Sequence, residues 1–208
     1  MDNEFDKLSY ALGMSMGHNF KASGIDKVNS ADFAAGVAAV YEGAEPRLSY
    51  DEAKEVIREY FTALEAKQQE AAKEMAAINA AAGEAFLNEN GVRPEVHTTA
   101  SGLQYEIITK GEGPQPTAQD RVVVHYTGRL IDGTVFDSSE ERGEPATFGV
   151  TQVIPGWVEA LQLMKEGSKW RLFIPSNLAY GPAGTPGGPI GPNQTLLFDV
   201  ELLKVYKK

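Results

Sequence analysis

The chain has 208 residues, of which 42% are apolar and 23% are charged, so it falls in the range of ordinary globular proteins of one or two domains. It contains no cysteine, which excludes disulfides, thiol nucleophiles and thiolate metal sites. With 29 acidic and 19 basic residues, its net charge of −10 disfavours nucleic acid as a partner, because a phosphate polymer would be repelled.

The sequence shows neither a membrane span nor a secretion signal. It has no apolar run of about 18 residues, so no membrane partner is expected. The first residues, MDNEFDKLSY, are acidic and lack the basic segment and apolar stretch of a signal peptide. We therefore expect a cytoplasmic protein, or a periplasmic one if a leader was removed from the chain.

The first half of the chain is predicted to be helical. In its first segment apolar residues recur at steps of three and four, and the small residues Gly13 and Gly17 would let another helix approach closely. A second helix is expected after Asn29 or Ser30. The apolar residues of these two helices are Phe5, Leu8, Leu12, Met16, Phe20, Phe33, Val37, Val40 and Tyr41.

A third helix has a recognisable start and end. Ser49 and Glu52 form the S-x-x-E pattern of a capping box, and the helical pattern then continues past Gly83 to Gly91. About forty residues at ~1.5 Å per residue predict a rod of roughly 60 Å. Its middle, EAKQQEAAKEMAAINAAAGEA, has little to bury but can remain helical because its residues have high helix propensity.

Two short helices and the start of a long one make a poor core for a single chain. Helices that are apolar on more than one side need a partner, so we expect roughly the first 65 residues to form a homodimer with a second copy of the chain. The alternative is a small monomeric helical bundle that packs on the other half of the same chain.

The second half of the chain is predicted to form strands and one short helix. Segments rich in β-branched and aromatic residues alternate with glycine and proline turns, and GWVEALQLM fits a helix. The predicted strands are GLQYEIITKG, RVVVHYTGRL, ATFGV, KWRLFIP and TLLFDVELLKVYK. The predicted fold class is α+β, in which an all-α region and a long connecting helix precede a curved antiparallel sheet wrapped around a short helix.

Four separated motifs in the second half resemble the FKBP-type peptidyl-prolyl cis-trans isomerase domain. In chain order they are VHYTGRLIDGTVFDSS, QVIPGWVEALQLM, LAYG and TLLFDVELL. The helical half, with LSYALGMSMGHNFKASGID and the long helix, resembles the N-terminal dimerisation region of the Mip-like branch of this family. The implied domains are a helical dimerisation domain at 1–48, a connecting helix at 49–90, a linker at 91–97 and an FKBP-like isomerase domain at 98–208.

The resemblance also implies a pocket and the roles of its residues. The residues implied as catalytic are Asp137, Tyr180, Phe136, Tyr126 and Trp157, and those implied as substrate-binding are Val153, Ile154, Phe198, Ile190, Arg142 and Phe148. Trp157 would form the floor, and Asp137 would lie beside the twisting amide. The Tyr180 hydroxyl and the Ile154 N–H would each donate to a substrate carbonyl. Arg142 matches an arginine that, in family members, approaches Asp137 and Tyr126.

The function implied by the resemblance is a rotamase that needs no cofactor. It would accelerate X–Pro isomerisation during protein folding and act as a V-shaped homodimer with chaperone activity. Its partners would be proline-containing unfolded or partly folded polypeptides and macrolide inhibitors of the rapamycin type. Ala146 stands where an aromatic residue is common, and Thr185 stands near a position often taken by histidine. Both positions bear on macrolide affinity.

Other interpretations of the same residues remain open. Aromatic residues in a β-domain are more often core than pocket, and Asp137 could be the carboxylate that caps the turn at DSS. The protein could also be a binding module or holdase that retains proline-containing chains without turning them over. A helical spacer with a β-cap is a third possibility, but it leaves the four motifs unexplained.

Overall fold

The computed structural model describes residues 5–208, so residues 1–4 of the predicted domain 1–48 lie outside the described residues. The chain divides into two units, Met1–Gln69 and Glu70–Lys208. This division falls inside the long helix, whereas the predicted domain boundaries lie at its two ends. Those boundaries therefore stay a prediction.

Three helices follow one another in the first 90 residues. They are α1 (Lys7–Ala22), α2 (Ser30–Glu42) and α3 (Tyr50–Asn90). Asn29 caps α2, as predicted, and the capping box of α3 is confirmed: the Ser49 N–H donates to Glu52 Oε2 at 2.8 Å, and the Glu52 N–H donates to Ser49 Oγ at 3.2 Å. Within residues 5–208 no helix combines the length and apolar character needed to cross a membrane.

The first unit has few internal contacts for its apolar side chains. Phe20 of α1 meets Phe33 of α2 edge-on, with 5.4 Å between ring centroids. The turn after α1 approaches α3 at Gly24, where a Cβ would lie 3.3 Å from Leu64. No residue between 5 and 69 is buried. This unit therefore consists of helices whose apolar faces remain open.

The second unit contains an antiparallel sheet of seven strands. They are β1 (Val96–Thr98), β2 (Gln104–Thr109), β3 (Arg121–Leu130), β4 (Val135–Ser138), β5 (Ala146–Gly149), β6 (Lys169–Ile174) and β7 (Leu196–Tyr206). The strand order is β1-β2-β6-β7-β3-β4, and β5 pairs with the first part of β3. The predicted antiparallel sheet is confirmed, but two of its strands, β1 and β4, were not among the five predicted.

The segment predicted as a linker, residues 91–97, contains the start of β1. Val96 lies opposite Glu106, and His97 lies opposite Tyr105, so this segment joins the edge of the sheet. A strand of three residues is too short to show an alternating pattern in the sequence. The last two residues of the predicted linker therefore belong to a strand, and the bounds of the linker stay a prediction.

Helix α5 (Pro155–Leu163) lies against the sheet, as predicted for the short helix. Pro155 occupies its first turn, where a missing N–H costs nothing. A Cβ on Gly156 would lie 2.5 Å from Ile174 Cγ2, so only glycine lets α5 approach β6 this closely. The fully buried core side chains include Leu161, Leu172, Ile174, Leu196, Val122, Val124, Val200 and Leu202.

Candidate active site

Strands β3, β4 and β7 place the residues of the candidate site by their register. Gly128 of β3 lies opposite Asp137 on one side and opposite Phe198 on the other. A Cβ on Gly128 would lie 2.6 Å from Phe136 Cζ and 2.7 Å from Phe198 Cε1. Because glycine has no side chain, these two rings can meet at 5.5 Å and an interplanar angle of 84°.

Five aromatic residues form what we call the aromatic slot: Tyr126, Phe136, Phe148, Trp157 and Phe198. Trp157, at the start of α5, is only 4% exposed. Three other rings meet the indole nearly at right angles, with centroid distances of 5.3 Å for Tyr126, 6.0 Å for Phe148 and 5.2 Å for Phe198. Their ring planes are thus nearly perpendicular to the indole plane, and the role of Trp157 as a floor stays a prediction.

Polar groups meet at the phenol end of Tyr126. Its hydroxyl donates to Asp137 Oδ2 at 2.5 Å, and Arg142 Nη2 donates to the same hydroxyl at 3.0 Å. Arg142 Nη1 pairs with Asp137 Oδ1, and the guanidinium carbon lies 5.7 Å from the Tyr126 ring centroid. The structure thus brings together the three residues that the resemblance places in contact.

These contacts fix the charge state of the polar group. Partial burial would raise the pKa of Asp137, but hydrogen bonds from Tyr126 and Arg142 outweigh it and hold the pKa below the usual 3.8. Burial, followed by the hydrogen bond to Asp137, raises the pKa of the Tyr126 phenol. Hydrogen bonds to Tyr126 and Asp137 raise the pKa of Arg142. The carboxylate and guanidinium are therefore both charged at neutral pH, and the phenol keeps its proton.

Isomerase activity is expected to change little with acid until well below neutral pH. Because the pKa of Asp137 in the folded chain is depressed, its carboxylate stays charged above the ordinary carboxyl range, and its contribution is lost only as pH falls through the lowered pKa. We expect kcat/KM to vary by less than about twofold between about pH 8 and about pH 5. Peptide isomerisation measured across this range checks this, with circular dichroism at each pH as the control. A fall centred near pH 6 with intact structure would contradict it.

Ser138 and Ser139 fix the end of β4. Ser138 caps the short helix α4 (Ser139–Arg142) by accepting a hydrogen bond from the Glu141 N–H at 3.2 Å. Ser139 is fully buried, and its Oγ accepts from the Tyr126 N–H at 2.8 Å and donates to the Tyr126 carbonyl at 3.2 Å. Sequence reasoning missed this supporting role.

The structure groups most of the remaining predicted residues with the aromatic slot. Ile190 is 5% exposed and belongs to the same buried cluster, and Val153 and Ile154 are partly buried against it. Tyr180 is 42% exposed and lies outside that cluster, although the preceding Ala179 packs against it. Of the eleven predicted residues, Tyr180 is thus the one that the structure does not bring into the buried group or its hydrogen bonds.

Two surface hollows lie in residues 70–208, and the smaller one shares Phe198 with the aromatic slot. One, of about 940 Å³, is lined partly by Asp120 and Lys207, which pair with each other at 2.9 Å. The other, of about 370 Å³, is lined partly by Arg129, Arg171 and Asp199, and both arginines contact the aspartate at 2.6 Å. Because these charged groups are already engaged in ion pairs with one another, the aromatic slot is the stronger candidate for the active site.

Comparison with known proteins identifies the family of the chain. Residues 113–203 match the family described as FKBP-type peptidyl-prolyl cis-trans isomerase, and residues 5–107 match the domain amino terminal to it. The chain is 50% identical over 202 residues to the outer membrane protein MIP of Legionella longbeachae, covering 97% of this chain and 86% of that protein. It is 46% identical over 197 residues to the FKBP-type 22 kDa peptidyl-prolyl cis-trans isomerase of Escherichia coli, covering 95% and 93%.

A solved structure extends the likeness to the fold. The crystal structure of FkpA from Escherichia coli matches with a TM-score of 0.75 at 38% identity, and the match covers 99% of this chain and 98% of that one. The chain therefore belongs to the FKBP-type peptidyl-prolyl cis-trans isomerases, in the Mip-like branch that carries an N-terminal helical domain. It is a peptidyl-prolyl cis-trans isomerase, and the predicted fold class and enzyme class are confirmed.

Proposed function

We propose that X–Pro bonds turn over in the aromatic slot, above the indole of Trp157. The observation that carries this proposal is the set of rings standing edge-on around a nearly buried indole, beside a charged carboxylate at the phenol of Tyr126. A proline ring is small and apolar, so it fits a floor and walls of this kind.

The reaction needs no nucleophile because no covalent bond forms or breaks. Rotation about an X–Pro bond is slow because it interrupts amide resonance. The planar amide is more polar than the twisted one, so apolar walls disfavour the planar ground state more than the twisted transition state. A rate gain of about 10⁴ requires only about 5.5 kcal/mol of such differential stabilisation.

Polar groups at the slot are proposed to orient the peptide. The Tyr180 hydroxyl and the Ile154 N–H would each donate to a substrate carbonyl, and the exposure of Tyr180 leaves its hydroxyl accessible to a bound chain. Asp137 would lie beside the rotating amide, with Arg142 holding its carboxylate in place. Val153, Phe148 and Ile190 would contact the side chains that flank the proline.

Replacing Asp137 with leucine is expected to lower kcat/KM about tenfold to a hundredfold, because both Tyr126 and Arg142 lose the carboxylate that positions them. The rate is read from a protease-free peptide assay and from proline-limited refolding of a protein. Glu144→Leu is the matched control, because Glu144 is an exposed acidic residue that closely follows α4. An unchanged rate in folded Asp137→Leu, or no acceleration by micromolar wild-type protein, would count against the proposal.

The Asp137→Leu variant also distinguishes isomerase turnover from the retention of unfolded chains. We propose that the protein also acts as a chaperone toward proline-containing, unfolded or partly folded polypeptides. If holdase activity is independent of turnover, Asp137→Leu should still suppress aggregation of a denatured client while its isomerase rate falls. Equal loss of both activities would instead place retention in the aromatic slot.

We further propose a homodimer formed through the N-terminal helices. The support is the lack of any buried residue between positions 5 and 69, although these helices carry many apolar side chains. The exposed ones include Phe5, Leu8, Leu12, Met14, Val40, Tyr41, Val56 and Ile57. Such a surface is far more apolar than a monomer exposes without function. A second copy would cover it in a closed, symmetric assembly.

Macrolides of the rapamycin type are proposed to occupy the aromatic slot in competition with peptide. Ala146 is partly buried against the same cluster, so the edge where it lies is more open than an aromatic side chain would leave it.

The cellular compartment of the protein is also a proposal. The cytoplasmic location predicted from the N-terminal sequence stays a prediction, and the name of the Legionella longbeachae relative, an outer membrane protein, favours the periplasmic alternative.

A further inference from the structure

Ile190 lies on a compact turn in the loop that joins β6 to β7. The Thr185 N–H donates to the Ile190 carbonyl at 2.8 Å, and the Ile190 N–H donates to Thr185 Oγ1 at 3.2 Å. The Asn193 N–H reaches back to the Gly181 carbonyl at 2.9 Å. Because these bonds close the loop on itself, residues 181–193 should move as one piece, and Ile190 should move with them.

Two asparagines join this loop to α3. Asn79 of α3 donates through Nδ2 to the Pro192 carbonyl at 2.8 Å, and Asn193 donates through its own Nδ2 to the Ala76 carbonyl at 3.3 Å. The two bonds run in opposite directions and lie one helical turn apart on α3. Neither partner is fully exposed, so water competes less for these bonds than it would at the surface.

The local structure of both the loop and α3 suits this contact. Asn193 has φ +54, the only positive φ of a non-glycine residue between positions 5 and 208, and asparagine tolerates this conformation better than most residues. Gly83, one turn beyond Asn79, is buried, and a Cβ there would collide with the Thr195 side chain. The sequence therefore permits α3 and the loop to approach at two successive turns of the helix.

We infer that Asn79 is a positioning residue of the isomerase, which holds Ile190 in place through the Pro192 carbonyl and so sets the width of the aromatic slot. The inference rests on the proposed function, because it takes the slot as the binding site. Asn79 itself contacts the loop and not the slot. The C-terminal half of α3 then supports the loop that carries Ile190 and is more than a spacer.

Asn79→Ala is expected to raise KM about threefold to tenfold while kcat stays within about twofold, because the loss of one hydrogen bond changes an equilibrium by that order. A wall that moves affects a large neighbouring side chain more than a small one. The increase should therefore be greater for a Leu-Pro peptide than for an Ala-Pro peptide. Thermal unfolding of the whole chain should shift little, which separates positioning from a general loss of structure.

Two further variants sharpen the test. Asn88→Ala removes an exposed asparagine from the same helix and should leave both KM values unchanged. Gly83→Ala should raise KM as Asn79→Ala does, and adding Thr195→Ala should restore part of the loss by removing the atoms that the new methyl group meets. Unchanged KM values in Asn79→Ala, or equal changes in Asn88→Ala, would overturn the inference.

Amide hydrogen exchange provides a readout that does not depend on turnover. Asn79→Ala should speed exchange at Thr185 and Ile190, whose N–H groups close the loop, while exchange in β3 stays as in the wild-type protein. If the wild-type chain failed to isomerise peptides, the proposed function would fail, and the exchange data would still decide whether α3 holds the loop. Unchanged exchange in the loop would overturn the inference even in an active enzyme.

Discussion

Gly128→Ala is expected to lower kcat/KM about a hundredfold. The new methyl group would lie 2.6 Å from Phe136 Cζ and 2.7 Å from Phe198 Cε1, so both rings must shift away from their places in the aromatic slot. A displacement of about 1 Å at a reacting centre can cost this much in rate. Overpacking of this kind destabilises by about 1–3 kcal/mol, so the chain should remain folded.

The rate loss at Gly128 is measured by peptide isomerisation, alongside thermal unfolding. Gly36→Ala is the control, because a Cβ at Gly36 of α2 would meet nothing within 4 Å. It should leave the rate unchanged. A folded Gly128→Ala protein with the wild-type rate would show that the two phenylalanine rings do not need their observed places, and the aromatic slot would lose its role as the active site.

The double variant Leu8→Glu with Leu12→Glu is expected to convert the proposed homodimer into a monomer. Both leucines lie on one face of α1 and are 69% and 57% exposed in the single chain. Burying two carboxylates in an apolar interface costs several kcal/mol for each ion, so dimer affinity should fall by about a thousandfold or more. Sedimentation equilibrium over a range of concentrations measures this change.

Isomerase assays on short peptides and on proteins show which activities of the Leu8→Glu, Leu12→Glu variant depend on dimerisation. The monomer should isomerise short peptides at the wild-type rate, because the aromatic slot lies in residues 70–208, but it should be weaker on protein substrates. Lys7→Glu, which adds an acid to the first turn of α1 without removing an apolar side chain, should remain dimeric. Wild-type protein that sediments as a monomer at every concentration would refute the homodimer.

The sequence allowed the long elements of the fold to be predicted. Helix α3 was predicted from its capping box and its uninterrupted pattern, and the structure gives it 41 residues that end next to Gly91. The longer strands β3, β6 and β7 are rich in β-branched and aromatic residues and lie between turn residues, which made them recognisable in the sequence. In contrast, β1 has three residues and β4 has four, and β4 contains Asp137 and Ser138, which are poor strand formers.

The slot could be predicted only because its motifs resemble those of a family. Composition alone would have assigned Phe198 to the core, and the structure shows why, since it is both buried and part of a wall. Gly128, Ser139 and Asn79 were missed because the importance of each depends on residues that are distant in the sequence. Gly128 needs the register of three strands, and Asn79 meets a loop that begins about a hundred residues later.

The indole of Trp157 lends itself to optical measurement. Its Nε1–H is buried and donates to no acceptor within residues 5–208, whereas the second tryptophan, Trp170, is stacked on Tyr105 with 4.3 Å between ring centroids. The two chromophores thus lie in unlike surroundings, and a Trp170→Phe background would leave Trp157 as the single tryptophan emitter. A carbonyl or a hydrocarbon ring arriving over that emitter alters its immediate polarity. Under the proposed function, Trp157 would therefore report occupancy of the aromatic slot by its fluorescence, which would make label-free titration of peptides and inhibitors feasible.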